Sequence, residues 1–347
     1  MTETTIITKT DETKDKYRKR AKSLMHNLRD FKNNLKDKDK YSQDEFILMW
    51  FKHIADGKSK STFRQYKAAF IQHCVDRGMD DFIDILKKTT REQLSEISPP
   101  INKLTSAKKS KKISAKDKDK LDEFFLKLIK SRNNCLLQVR THVMYSATYI
   151  VGLRPTEWRS AEIIENCILK DGTILALVLK VRNAKDTNDR ANGKYRHIDL
   201  SEIKKDDLLC IKRNIKLIKE HLSESKMNGK DECKQNKNPY DSYHKSCSDQ
   251  LAHAHKKLWP RRKTSITLYT FRHQFAANYK FMGYSKVEIA ALMGHVSDAT
   301  AAEHYGKKSA GRKGGFSVVN PISSEVQTVR IKHKPFPFAQ KKGSRLN

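Results

Sequence analysis

The sequence predicts a mainly α-helical, two-lobed protein with a small β-hairpin or sheet in its second lobe. Apolar residues recur at three- and four-residue spacing through most of the chain, as on one face of a helix. Two β-rich runs, Thr173–Val181 and Lys194–Leu200, break that period once. A stretch rich in proline and lysine, SPPINKLTSAKKSKKISAKDKDK over 98–120, can bury little apolar surface and separates a smaller helical region from a larger one. At 347 residues the chain is long enough for two such lobes.

Residues 1–40 read as a charged arm ending in a helix, because Leu24, Met25, Leu28, Phe31 and Leu35 share helical spacing within polar text. Residues 41–97 read as a small helical domain. Phe46, Ile47, Trp50, Phe51 and Ile54 mark one helix that Gly57 stops. Ser59 or Ser61 caps a second, which carries Phe63, Tyr66, Phe70 and Cys74 up to Gly78, and Phe82, Ile83, Ile85 and Leu86 mark a third.

Beyond the 98–120 linker, helical periodicity resumes in LDEFFLKLIK from Leu121 and again from Leu136 to Ile150. Gly152 ends that helix and Pro155 suits the first turn of the next, so Leu153 and Arg154 fall on a tight connection. The β-rich runs follow, with Arg196, Ile198 and Leu200 on one face and NAKDTNDRANG as a long hairpin tip. Helices are predicted over Leu208–Leu222, Tyr240–Leu258 and Phe271–Phe281. Another is boxed at its start by Ser285 and Glu288 and stopped at Gly294, and a last one follows Ser297. Residues 311–347 read as a basic tail with one candidate strand, Val326–Ile331.

Lys and Arg number 71 against 40 Asp and Glu, a net charge of +31 that seeks a polyanion. No run approaches the roughly 18 apolar residues of a membrane span, and the N-terminus lacks a signal-peptide core, so the expected location is cytoplasmic, and nucleoid-associated if the polyanion is DNA and not RNA or an anionic membrane surface. Six scattered cysteines contain no C-x-x-C pair, which argues against a zinc finger and a disulfide framework. Gly57-Lys58-Ser59 resembles the end of a phosphate-binding loop, but Lys52 stands where its first glycine belongs. His253 and His255 are two apart on a helix and face different ways. No cofactor, nucleotide or metal is expected.

Four boxes carry the remaining signal: GLRPTE around Arg154, the hairpin lysines, LYTFRHQFAANY around Arg272, and LMGHVSDATAAEHYG with His295 and Tyr305. In this order they resemble the catalytic domain of the tyrosine recombinases, the phage-type integrase family. STFRQYKAAF, residues 61–70, looks like that family's helical core-binding domain. The resemblance implies a two-lobed tyrosine recombinase-like fold closing on double-stranded DNA, with a catalytic domain over 121–310. It also implies strand cutting by a tyrosine through a 3′-phosphotyrosine, which retains bond energy and needs no ATP.

In that scheme Arg154 and Arg272 hold the nonbridging phosphate oxygens, as two forked and permanently charged groups can. His295 adds a hydrogen bond, Tyr305 is the nucleophile, and a hairpin lysine protonates the leaving 5′ oxygen. Lys185 is the first choice for that lysine, with Lys194 and Lys180 as alternatives. Glu157 would pin Arg154 or the following helix and not act on DNA. Lys58, Lys60, Arg64 and Lys67, at the start of a helix, could meet phosphates or a major groove. Two departures stand out: Tyr269 occupies the place of the family's usual histidine, where it could still hydrogen-bond the phosphate as a catalytic residue, and Tyr305 lies ten residues after His295, one more than is common, with His304 in the usual place.

The resemblance further implies a homo-tetramer on DNA, with accessory DNA-bending or excisionase-type proteins as possible partners and the tail as a subunit contact. Two other activities stay open. One is a type IB topoisomerase-like nicking and closing enzyme. The other is a DNA-binding regulator without catalysis, for which Tyr269 is the best support.

Overall fold

A computed structural model describes residues 11–34, 43–55, 58–90, 93, 108–131, 135–169, 172–184, 192–227, 238–300, 305–312, 314 and 316–332. The chain divides into two compact units, Met1–Lys108 and Lys109–Asn347. It is mainly α-helical, with a small antiparallel sheet in the second unit. Among the described residues no helix is long and apolar enough to cross a membrane.

In the first unit α1 (Asp11–Asn33), α2 (Gln43–Ala55), α3 (Lys60–Arg77) and α4 (Asp80–Lys88) enclose Leu24, Trp50, Phe51, Phe63, Phe70 and Leu86. The Trp50 ring lies 5.0 Å from Phe51 and 5.3 Å from Phe70, edge-on or tilted, as aromatic quadrupoles favour. Ser59 caps α3 by accepting the Thr62 N–H at 3.1 Å. The expected arm is instead part of this core. Ala21 and Leu24 of α1 are buried, and Arg18 pairs with Asp76 of α3 at 2.9 Å, because an apolar helix face in water needs a partner. Leu35 and Gly57 lie outside the described residues.

The second unit is built on two buried helices. α5 (Ala115–Ser131) and α6 (Leu136–Val151) lead to a 3₁₀ turn at Pro155–Ser160, and the strands follow. These are β1 (Glu162–Ile168), β2 (Ile174–Arg182) and β3 (Tyr195–Asp199). Then come α7 (Lys205–Met227), α8 (Pro239–Leu258), α9 (Leu268–Met282) and α10 (Lys286–Leu292), and finally β4 (Asn320–Pro321) and α11 (Ser323–Gln327). α6 and α9 are buried on most faces, polar Thr148, Gln274 and Asn278 included, as central helices are, and Tyr145 of one stacks on Phe271 of the other at 4.7 Å. The sheet order is β1-β2-β3-β4, all neighbours antiparallel. Leu179 pairs with Ile198 and Val181 with Arg196 on the core side, so Lys180 and its partner His197 face the other way.

Three expectations change. The strand β1 has no clear alternation in the sequence. Residues 109–120 belong to the second unit and not to a linker: Ile113 is buried and donates its N–H to Gln274 Oε1 at 3.0 Å, and α5 begins at Ala115. Residues 98–107 lie outside the described residues. The tail folds back on its own unit up to residue 332: β4 extends the sheet, Arg330 N–H donates to the Val296 carbonyl at 2.9 Å, and Val326–Gln327 is helical where a strand was expected. Residues 301–304, within the stretch where a last helix is expected after Ser297, and residues 333–347 lie outside the described residues.

Candidate active site

The site begins where α6 stops. Gly152, at φ 66°, turns the chain out of the helix so close to Phe275 that a Cβ there would lie within 2.6 Å of several of its ring atoms. Pro155 then starts the 3₁₀ turn, which is held by Trp158 Nε1 donating to Thr148 Oγ1 at 2.9 Å and by the Tyr240 hydroxyl donating to the Pro155 carbonyl. Between these anchors the Arg154 side chain is turned inward and is only 5% exposed. Its N–H donates to Glu157 Oε2 at 2.7 Å and its Nη1 to Glu157 Oε1 at 2.5 Å.

Arg272 projects from α9 and is fully buried. Its Nε donates to the Tyr305 hydroxyl at 3.3 Å, its Nη2 to His295 Nε2 at 3.2 Å and to the Met293 carbonyl at 2.8 Å, and its Nη1 to the Gly152 carbonyl. Arg154 Nη1 reaches the same Met293 carbonyl at 3.3 Å, and Glu157 Oε2 stands 3.6 Å from Arg272 Nη1. Two distant arginines thus share one carbonyl and one carboxylate. The carbonyl is exposed to them because α10 ends at Met293 and Gly294 turns away at φ 63°, which also delivers His295.

Tyr305 lies between two imidazoles, its ring 5.0 Å from His273 and 4.9 Å from His295, with the Arg272 guanidinium 5.2 Å away. Lys280 Nζ holds its carbonyl at 3.3 Å. The segment that follows is fixed by the buried Gln274 and Asn278 of α9: Gln274 Nε2 donates to the Ala310 carbonyl at 2.7 Å, and Asn278 Oδ1 accepts the Arg312 N–H at 3.2 Å.

Burial and charge together set the behaviour of each group. Burial alone would push the Glu157 carboxyl up, but Arg196, Arg154 and Arg272 together hold it far below the usual carboxylate range. Burial, and then repulsion from Arg154, lowers Arg272 to about 10, which leaves it charged at neutral pH. Burial and then Arg272, Arg154 and Arg196 press His295 far below its ordinary value, so its ring is neutral. A neutral ring that accepts through Nε2 carries its proton on Nδ1, a buried atom without a partner among the described residues. Burial would raise the Tyr305 hydroxyl, yet Arg272 and Arg154 outweigh it and the net shift is downward. Three guanidiniums against one carboxylate leave an excess of two positive charges beside an acidified phenol. Such a pocket can stabilise negative charge growing on a phosphoryl group attacked by that phenol.

Of the residues singled out from the sequence, Arg154, Arg272, His295 and Tyr305 share this pocket. Tyr269, on the first turn of α9, is 40% exposed; burial raises its hydroxyl against the pull of Arg272 and Arg154. Lys185 and His304 lie outside the described residues. Lys180 pairs with Glu162 at 3.1 Å and lies, like Lys194, over the Tyr195 ring at 5.1 and 5.6 Å. Lys58, Lys60 and Arg64 are exposed at the start of α3. Lys67 is not, since its ammonium caps α4 by donating to the Thr89 carbonyl at 2.8 Å and the Lys87 carbonyl at 3.3 Å, and burial lowers its pKa. Two residues of the pocket, Arg196 and His273, escaped the sequence reading as site residues. A charged residue at an inward strand position was the available signal for Arg196.

No family model and no curated protein matches the chain. Its fold is similar to solved structures of two recombinases and an integrase. One is a lambda integrase tetramer bound to a Holliday junction, at 14% identity over 87% of this chain and 78% of that one, with a TM-score of 0.47. XerH site-specific recombinase bound to a palindromic difH substrate is 14% identical over 82% and 74%, with a TM-score of 0.44. XerA recombinase is 18% identical over 84% and 88%, with a TM-score of 0.33. At such identities the roles of individual residues rest on the geometry of this pocket alone.

Proposed function

We propose that the chain is a site-specific DNA recombinase or integrase that cuts and rejoins DNA through a 3′-phosphotyrosine, without ATP or metal. One observation carries this reading: a single buried guanidinium, Arg272, touches both an acidified phenol, Tyr305, and a neutral imidazole, His295, with Arg154 on the same carbonyl. The Tyr305 hydroxyl gives up its proton to solvent, its oxygen attacks phosphorus, the P–O5′ bond breaks as the P–O bond to tyrosine forms, and the departing 5′ oxygen takes a proton from a lysine. Resealing is the reverse. Lys185 suits the proton donor best, because Lys180 faces away from Arg196 and both Lys180 and Lys194 are drawn to the Tyr195 ring. The net charge of +31 and the exposed Lys58, Lys60 and Arg64 fit duplex DNA as the partner. Strand exchange between two sites calls for a homo-tetramer on DNA, with accessory DNA-bending or excisionase-type proteins directing it.

The test uses the full chain and nicked duplexes tiled across the DNA that flanks its own gene. After denaturation in detergent, wild type should yield protein covalently joined to DNA and Tyr305→Phe should yield none. Binding without any such adduct would favour a regulator. Relaxation of supercoiled plasmid without recombinant products would favour a nicking and closing enzyme.

A further inference from the structure

We propose that Arg196 is a positioning residue for strand cutting: it occupies Glu157 so that Arg154, Arg272 and the root of the β2–β3 hairpin keep one geometry. This rests on the function proposed above.

Arg196 points inward from β3 and is fully buried. Its nitrogens reach three elements. Nη2 donates to Glu157 Oε2 at 2.8 Å on the turn that bears Arg154. Nε donates to the Leu292 carbonyl at 3.1 Å, at the end of the helix that delivers Met293 and His295. Nη1 donates to Asn183 Oδ1 at the end of β2. Asn183 in turn closes the hairpin root, its Nδ2 donating to the Asn192 and Gly193 carbonyls at 3.1 and 2.9 Å. On the other side Ala184 N–H donates to Glu157 Oε1 at 3.4 Å. The guanidinium spreads its donors over three nitrogens, one for each of these acceptors, whereas an ammonium offers its three from a single atom.

A third buried guanidinium beside two like charges is electrostatically costly, and an apolar side chain could fill the same slot. Its effect on Glu157 accounts for its presence. Arg154 and Ala184 take Oε1, while the Arg154 N–H and Arg196 take Oε2, so Arg272 Nη1 stays at 3.6 Å and its Nε remains on Tyr305. Without Arg196, the carboxylate would draw Arg272 into direct contact and away from the phenol.

The experiment compares Arg196→Met, Arg196→Lys, Glu157→Gln and the Arg196→Met/Glu157→Gln double variant with wild type on the same nicked duplexes. It reads DNA affinity, melting temperature and the rate of adduct formation. Arg196→Met should bind within about twofold of wild type yet cleave about 100-fold more slowly, the scale of a displacement near 1 Å. Arg196→Lys should fall between them, and the double variant should be no slower than Arg196→Met, since both act through one carboxylate. Cleavage by Arg196→Met within about threefold of wild type, a parallel loss of binding and cleavage, or penalties that multiply would overturn the proposal. If Arg196→Met does not fold, Arg196→Lys decides: slower cleavage at unchanged affinity and melting supports it, and unchanged cleavage refutes it. Absence of a Tyr305-dependent adduct from wild type would instead refute the function itself.

Discussion

Arg272 Nε lies 3.3 Å from the Tyr305 hydroxyl, and the same guanidinium lies 3.2 Å from His295 Nε2. The charge that would hold a phosphate therefore also acidifies the attacking group. Adduct formation should rise with pH through a midpoint below the usual phenol value, about 10. Removing a guanidinium disfavours the phenolate, so Arg154→Met should move that midpoint upward. Rates of adduct formation measured across the pH range check this, and an unmoved midpoint would contradict it.

Glu157 is buried among three arginines, and its carboxyl is held below its ordinary range despite the burial. Its contribution to stability is complete above the unfolded value, about 4.3, and is lost as pH falls toward the folded one. Glu157→Gln should cost about 3–5 kcal/mol near pH 7, because it leaves buried guanidiniums uncompensated. Denaturant unfolding should show the gap between the two proteins narrowing as pH drops from about 5 to about 3.

Gly294 packs directly on the Asn183–Arg196 pair: a Cβ would lie 2.6 Å from Arg196 Nη1 and closer still to Asn183 Oδ1, at φ +63°. Gly294→Ala should destabilise the second unit by about 1–3 kcal/mol and slow adduct formation. Chemical denaturation and the adduct assay measure the two effects.

The proton donor can be identified by its leaving group. With a duplex whose 5′ bridging oxygen is replaced by sulfur, departure needs no proton, because a thiolate is a far better leaving group. Lys185→Ala should cut the sulfur substrate about as fast as wild type and the ordinary one about 100-fold more slowly. Lys180→Ala and Lys194→Ala should cut both normally, and rescue of either of these variants instead would reassign the role.

Salt dependence separates the α3 cations. Each phosphate contact adds about 0.9 to the slope of log affinity against log salt, so Lys60→Ala or Arg64→Ala should flatten it by up to that amount. Lys67→Met should leave the slope unchanged and lower the stability of the first unit by about 1 kcal/mol, since its ammonium serves the end of α4.

Helices were legible wherever local chemistry marks an end: Ser59 and Gly78 bracket α3, Gly152 ends α6, and Ser285 with Glu288 opens α10. Arg154, Arg272, His295 and Tyr305 were legible through the order of their boxes. What sequence could not show depends on contacts across the chain. β1 leaves Ile168 exposed and lacks alternation, so its pairing with β2 is tertiary. Ser110 and Ile113 are placed by Thr270 and Gln274 of α9, more than 150 positions away. Arg196 reads as one strand residue among others until Glu157, 39 positions earlier, is folded against it.

The short β4 has an effect out of proportion to its two residues. It covers the outer margin of β3, where Glu325 Oε1 also accepts the His197 N–H at 2.8 Å, and Pro321 has no amide proton to offer a newcomer. A chain cut short before Asn320 would bare a row of unpaired amides and carbonyls. Its molecules would then be prone to stick to one another, strand against strand, and to come out of solution.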